Sequence, residues 1–401
     1  MTTTTDTTEK LPLAALLALA MTGFICIMTE TLPAGLLPEI SAGLDVSPSL
    51  AGQTITVYAI GSLMAVIPLT VATQGWRRRR VLLATILGFL FFNSLTALSP
   101  SYTLTLFARF AAGAAAGLAW SLLAGYARRM VSPAQQGRAM AVAMVGTPIA
   151  LSLGVPLGTW LGNLMGWRLA FGLMSGLTLL LIVWVLVKVP DYPGQAKGQR
   201  LPLRHVFCMP GIRPILAVVF AWMLAHNILY TYIAPFVAQA GLADRVDLML
   251  LVFGSASLIG IWVTGRMVDQ SLRHAVLASL AVFALVSVSM GLGSHSAATQ
   301  FASIFVWGLT FGGAATLLQT ALADTAGVGA DAALSMNVVT WNGAIAGGGI
   351  AGGILLDTQG AGSLPWAVLM LLLVALAVAS LAHRHGFPGG ARSTSSPAVS
   401  H

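Results

Sequence analysis

Charge is what this sequence has least of: 8% of its 401 residues are Asp, Glu, Lys or Arg, against about a quarter in a soluble domain. That scarcity, with 57% hydrophobic residues and a mean hydropathy of +0.86, excludes a soluble globular protein. Ten-residue stretches of alternating polarity are missing too, which argues against a transmembrane barrel. Cysteine is nearly absent. Cys26 lies in an apolar run and Cys208 in a basic loop, so there is neither a disulfide framework nor a metal-type spacing. The chain also lacks His-Glu-x-x-His, Gly-x-x-x-x-Gly-Lys and Gly-x-Ser-x-Gly. No metal, cofactor or enzymatic chemistry is expected. Without an ATP site, any driving force comes from an ion gradient or from a solute's own gradient.

Long apolar runs fill the sequence instead. A hydrocarbon core about 30 Å thick needs about 20 apolar residues per helical crossing. Twelve spans are expected, over 11–38, 49–72, 80–98, 102–128, 137–163, 167–189, 213–240, 246–268, 273–293, 298–322, 331–357 and 363–383. Residues 1–10, Thr-rich with Asp6, Glu9 and Lys10, lack a signal's positive start and cleavage site, so the first run is expected to stay as a span. The bases alternate between loops: seventeen of the twenty Lys and Arg fall on one side, while Arg168 and Arg245 stand on the other and Arg109 is inside a span. The positive-inside rule then puts both termini in the cytoplasm. The net charge of +8 is a topology signal, and no nucleic acid partner is expected. The Gly-, Pro- and base-rich stretch 190–212 divides the chain into bundles 11–189 and 213–385, with cytoplasmic tails 1–10 and 386–401. Spans 3, 6, 9 and 12 are apolar nearly all round, spans 1, 4, 7 and 10 carry the polar load, and spans 2, 5, 8 and 11 are rich in small residues. Repeated in both halves, this order predicts two pseudo-symmetric six-helix bundles around a central cavity.

Two charges lie deep in apolar sequence, Glu30 and Arg109. Counted from Pro38 and from Ser101, each is eight residues in, or ~12 Å at 1.5 Å per residue. A carboxylate there is costly unless it is protonated, paired or watered. Glu30 is therefore the expected proton-coupling residue, with solute binding or a fixed ion pair with Arg109 as alternatives. Arg109 could equally be a static anchor to a backbone carbonyl of span 1. His226 titrates near neutrality, although a lone His among apolar residues is more often a packing residue. Asn227, Tyr230 and Tyr232 share its helix and are expected to contact solute, with Trp120, Gln53, Tyr58, Gln319, Trp341 and Asn342 as weaker candidates. Gly146, Ala150, Gly154, Gly158, Gly162 and Gly166 recur every four residues along span 5. Such a ridge lets another backbone approach closely. It is expected to be a sliding interface between the halves, with inert packing as the alternative. Span 11 repeats the pattern with Gly343, Gly347–Gly349, Gly352 and Gly353.

Several of these stretches resemble the major facilitator superfamily, and within it the twelve-span drug:proton antiporters and arabinose/sugar-efflux permeases. Thr29-Glu-Thr-Leu-Pro-Ala-Gly-Leu-Leu-Pro38 is similar to the family's first helix. Arg109-Phe-Ala-Ala-Gly-Ala-Ala-Ala-Gly117 resembles its fourth-helix motif, and Gly154-Val-Pro156-Leu-Gly158 through Gly166-Trp-Arg168 resembles the antiporter motif of helix five. His226 to Phe236 and Asn337 to Asn342 are similar to helices seven and eleven. The loop between helices 2 and 3 departs from the family pattern: Arg77 and Arg78 keep the bases, but no acid stands between Gly61 and Arg80. Gly265, Asp269 and Arg273 form a better copy in the second half. The resemblance implies a proton-coupled antiporter of a bacterial inner membrane, working as a monomer, that exports small organic solutes such as sugars or drugs. An uptake symporter or facilitator is the alternative, and a non-transporting membrane sensor or enzyme the remote one.

Overall fold

The computed structural model describes residues 11–132, 135–194 and 203–390. Both expected tails apart from residues 386–390, and the linker bases Lys197 and Arg200, lie outside the described residues, as does the Asp269 side chain. Among the described residues, twelve helices are long and apolar enough to cross a membrane. They are Leu13–Gly35, Pro48–Ala72, Arg78–Leu98, Tyr102–Arg129, Arg138–Met165 and Trp167–Lys188 in the first half. The second half has Ile212–Thr231, Ala243–Val268, Gln270–Leu292, Ala297–Ala326, Ala332–Gln359 and Ala361–Leu381. They are spans 1 to 12 below. An even count leaves both chain ends at one end of the bundle, here the terminal end, opposite the far end.

Local chemistry sets the boundaries. Ser47, Ser101 and Ser296 accept hydrogen bonds from the backbone N–H of Leu50, Leu104 and Thr299 and so start spans 2, 4 and 10. Spans 1 and 7 are shorter than expected because proline interrupts both. Pro38 has no N–H to offer Ala34, and the helix breaks at Leu36 before resuming as Leu37–Leu44. Pro235 likewise cannot bond to Thr231; the chain breaks at Tyr232 and resumes as Ile233–Ala238. Span 5 accommodates Pro148 and Pro156 with a π-helical turn over Ala150–Gly154.

The twelve spans form two six-helix bundles. Spans 3, 6, 9 and 12 turn large apolar side chains outward, among them Phe91, Leu180, Leu285 and Met370, as lipid-facing helices do. Span 7 is the most buried of all, at 72% of its apolar core. The halves meet through spans 2 and 11, spans 5 and 8, and spans 1 and 7.

These meetings lie toward the far end. A Cβ on Gly349 of span 11 would strike the Thr56 hydroxyl of span 2, and one on Gly254 of span 8 would strike Leu151 and Ser152 of span 5. Between the halves at the far end lies an apolar void of about 230 Å³ lined by Leu37, Pro38, Pro48, Ala234, Pro235, Ala238 and Ala243. Toward the terminal end, span 2 exposes Met64, Ile67 and Val71, span 8 exposes Trp262, and Gln319 of span 10 is exposed. The bundles close on each other at the far end and part toward the terminal end.

One expectation needs correcting. The span 5 ridge is not a surface between the halves. Gly146 packs on Ala20 and Phe24, Gly154 on Met28 and Phe24, Gly158 on Leu32 and Gly162 on Leu36. All five partners belong to span 1 or its end, in the same bundle. Span 5 turns a different face, Leu151 and Ser152, to the other half. Spacing reveals a ridge but not which neighbour fills it. In span 11, by contrast, Gly348 and Gly352 pack within the half on span 7, while Gly349 and Gly353 face span 2.

Candidate functional site

Arg109 is fully buried. Its Nε donates to Thr54 O of span 2 at 3.1 Å and its Nη2 to Glu30 O of span 1 at 3.4 Å. The guanidinium also lies 4.8 Å from the Tyr58 ring centroid and 5.6 Å from that of Phe171. Three helices are thus tied together by one cation, as the anchor alternative anticipated. The equal depth expected for Glu30 and Arg109 holds, but the contact is to the Glu30 carbonyl. The two side chains form no ion pair. Gly61 and Gly113 permit this arrangement, because a Cβ on either would strike the backbone of the facing helix, at Phe110 and Tyr58 respectively.

Glu30 is half-buried, with its carboxylate left for other partners. Its neighbours on span 1 are fixed: Thr29 accepts from Asn93 Nδ2 of span 3 at 2.9 Å, Tyr58 donates to Cys26 O at 3.0 Å, and Thr31 donates to Ile27 O at 2.7 Å. Thr31, the next residue of span 1, faces the Tyr230 hydroxyl of span 7, where spans 1 and 7 meet. Glu30 therefore stands at the seam between the halves.

His226 sits in a cage of rings. Its imidazole stacks on Phe311 with 3.6 Å between centroids and 6° between planes, and has Tyr230 at 5.1 Å, Trp307 at 5.2 Å and Phe253 at 5.7 Å. No acid or base takes part in this cage, and His226 is not brought together with Arg109. Tyr230 belongs to both places, with its ring in the cage and its hydroxyl at Thr31.

Tyr232 and Gln53, expected at a solute site, form a clasp across the seam instead. Tyr232 Oη donates to Gly349 O at 2.7 Å, and Gln53 Nε2 lies 3.3 Å from Tyr232 Oη and 3.2 Å from Gly349 O. Asn227 and Asn342 spend an amide hydrogen on their own helices, at Met223 O and Val338 O. Trp120 packs beside Gly23 of span 1, and Trp341 is half-buried on span 11. Neither approaches Glu30 through a hydrogen bond.

At the terminal end, the acid missing from the loop between spans 2 and 3 is supplied from elsewhere. Asp191, just beyond span 6, pairs with Arg77 Nε and accepts from the Arg79 N–H at 3.2 Å. Burial opposes the charge on Asp191, but the bond from Arg77 and then that from Arg79 outweigh it and hold the carboxyl below the usual Asp range. Arg78 donates to Thr73 O at 2.8 Å and to Gln74 O. In the second half Arg273 caps span 12, donating to Ala379 O at 3.1 Å and Ser380 O at 3.0 Å, while Gly265 faces open space. Asp191, Trp307 and Phe311 escaped the sequence reading. Asp191 is distant in sequence from the loop it serves, and the rings of span 10 read as ordinary apolar residues.

Two bundles of six spans and a buried arginine joining spans 1, 2 and 4 can now be set beside known proteins. A family model for the Major Facilitator Superfamily matches residues 19–346. The chain belongs to the Major Facilitator Superfamily. The purine ribonucleoside efflux pump NepI of Escherichia coli O157:H7 is 29% identical over 359 residues, covering 88% of this chain and 90% of the pump. A probable sugar efflux transporter of Helicobacter pylori is 25% identical over 378 residues, covering 94% of this chain and 97% of the relative. Among solved structures, a D-xylose-proton symporter superposes with a TM-score of 0.76 at 14% identity, covering 95% of this chain and 99% of the symporter. This member of the superfamily is a multi-pass membrane transporter, not an enzyme. The sequence expectation of fold and family stands.

Proposed function

We propose that this transporter is a proton-coupled exporter of small organic solutes in a bacterial inner membrane, with both termini and the 190–212 linker cytoplasmic. On this reading the N-terminal bundle is 11–189, the C-terminal bundle 213–385, and the transporter works as a monomer. The far end faces the periplasm, so the present state is closed outward and open inward. Similarity to two efflux proteins across nearly the whole chain supports export, and suits a nucleoside-like or sugar-like solute.

The observation that carries proton coupling is Glu30. It is a carboxyl group at the seam, held in place by Arg109 through its main chain while its side chain stays unpaired by that cation. A group placed so can bind a proton when the seam opens to one side and release it when it opens to the other. A ligand shifts that balance only by its differential affinity for the two states. In this cycle Glu30 takes a proton from the periplasm, the halves rock, and the proton leaves to the cytoplasm as solute binds. Arg109 keeps Glu30 in register rather than neutralising it. The test is Glu30→Gln in reconstituted vesicles. The variant reaches the membrane and binds solute but no longer pumps against a gradient when a pH difference is imposed. Undiminished pH-driven pumping by Glu30→Gln would remove Glu30 from the mechanism.

A further inference from the structure

Glu39 stands in the first turn of Leu37–Leu44, past the break at Leu36 and outside the twelve spans. Asn163, at the far end of span 5, donates its amide to Glu39 Oε1 at 3.1 Å and to Thr159 O at 3.2 Å. Glu39 Oε2 is buried and has no hydrogen-bond partner. A carboxylate in that position is costly while charged and much less so when neutral. Burial accordingly raises the Glu39 carboxyl above the usual Glu range, with only its own backbone N–H opposing. The elements around it bring no relief. Span 2 and Ile233–Ala238, both packed on this helix, carry no charged residue, and Tyr58 of span 2 is bonded to Cys26 O. The other charged groups are Glu30 of span 1, Asp45 after its own helix, Arg168 of span 6, and Asp244, Arg245 and Asp247 where span 8 begins. None of them acts on the Glu39 carboxyl. Arg168 spends its Nη2 on Gly43 O and Ser99 O.

This corner belongs to the closed seam. Leu37–Leu44 touches Ile233–Ala238 of the other half, and its Leu37 and Pro38 line the far-end void together with Ala234 and Pro235. A Cβ on Gly35 would strike Thr159 and meet Leu250 of span 8, so closure seats an apolar side chain of the other half one turn from Asn163. We propose that Glu39 is a proton-binding site of the far-end gate: protonated, it lets the halves close beside it, and charged, it favours their opening. Opening withdraws Leu250 and Ile233–Ala238 and gives water access to the carboxyl. The closed state then holds the proton more tightly than the open one, and the proton shifts the balance by that difference alone. The sign follows from the raised carboxyl: acid holds the far end shut, and raising the pH through the Glu39 range releases it. The site is separate from Glu30, and its proton acts on the gate whether or not transport is coupled to protons.

The test reads the maleimide labelling rate of Ala234→Cys, a wall of that void, in full-length protein carrying Cys26→Ala and Cys208→Ser, from about pH 5 to about pH 8. Each rate is divided by that of the same protein with Glu39→Gln at the same pH, which cancels the titration of the thiol itself. Glu39→Gln keeps the size of the side chain and an oxygen for Asn163, but it cannot ionise. The ratio is near one in acid and rises severalfold with pH, reaching about tenfold where closure changes the proton affinity tenfold. Asn163→Ala removes the donor that eases the charge, so its own ratio, taken against Asn163→Ala combined with Glu39→Gln, climbs further. Glu30→Gln leaves the rise in place. A ratio that stays flat with pH overturns the site. A rise that Glu30→Gln abolishes overturns it too, because the titrating group is then Glu30.

Discussion

Replacing Tyr232 by Phe removes a single oxygen from the clasp that joins the halves at the far end. That oxygen donates to Gly349 O at 2.7 Å and lies 3.3 Å from Gln53 Nε2, inside a side chain with no exposure. Gly349 O keeps its bond from Gln53 at 3.2 Å, so the variant strands no carbonyl and loses the hydrogen bond across the seam from Gln53 Nε2 to the Tyr232 oxygen. The net value of such a bond is about 1 kcal/mol, which shifts a two-state equilibrium roughly fivefold. The bond from Gln53 of span 2 crosses the seam and exists only while the far end is closed, whereas the Tyr232–Gly349 bond lies within the C-terminal half, so the loss of the crossing bond favours opening there. The assay is the maleimide labelling rate of Ala234→Cys, a buried wall of the far-end void, in protein carrying Cys26→Ala and Cys208→Ser. Tyr232→Phe should raise that rate about fivefold in proportion to the open population. Tyr126→Phe is the matched control. Its hydroxyl donates to Pro190 O at 2.7 Å and bonds nothing across the seam, and it should leave the rate unchanged. An unaltered rate in Tyr232→Phe, or an equal rise in Tyr126→Phe, refutes the clasp as a gate.

The span 5 ridge makes an opposite prediction. A side chain at Gly154 meets Met28 Sδ at 2.6 Å and Phe24 at 2.9 Å from its first carbon alone, so Gly154→Leu should destabilise the N-terminal bundle by ~1–3 kcal/mol. It should do so in thermal unfolding without changing the Ala234→Cys labelling rate. Asp191 gives a pH signature. Its carboxyl titrates below the usual Asp range, so its stabilising contact with Arg77 and Arg79 is complete above that range and is lost as pH falls through it. Thermal unfolding of wild type should therefore weaken on acidification more than that of Asp191→Asn, and parallel acid profiles for the two would discount the contact. The Glu30→Gln transport assay completes the set.

Much of the fold was legible because a bilayer imposes a length and a polarity that every span must obey. The twelve apolar runs, the small-residue helices and the outward apolar faces of spans 3, 6, 9 and 12 follow from that constraint residue by residue. Glu30 and Arg109 stood out for the same reason, as charges where the solvent tolerates almost none. Their partners did not. That Arg109 grips two carbonyls rather than a carboxylate depends on where Gly61 and Gly113 let spans 2 and 4 touch. That Tyr232 meets Gly349 and Gln53, while Tyr230 two residues earlier faces the ring cage, depends on the break Pro235 forces in span 7.

The neighbour of the glycine ridge, the clasp, the Asp191 contact and the rings around His226 were decided only by tertiary packing. Apolar patterning fixes how often a chain crosses a membrane, because each crossing meets the same solvent. Helix–helix contacts inside the bundle are set by shape and by hydrogen bonds between residues far apart in sequence, and neither leaves a period along the chain.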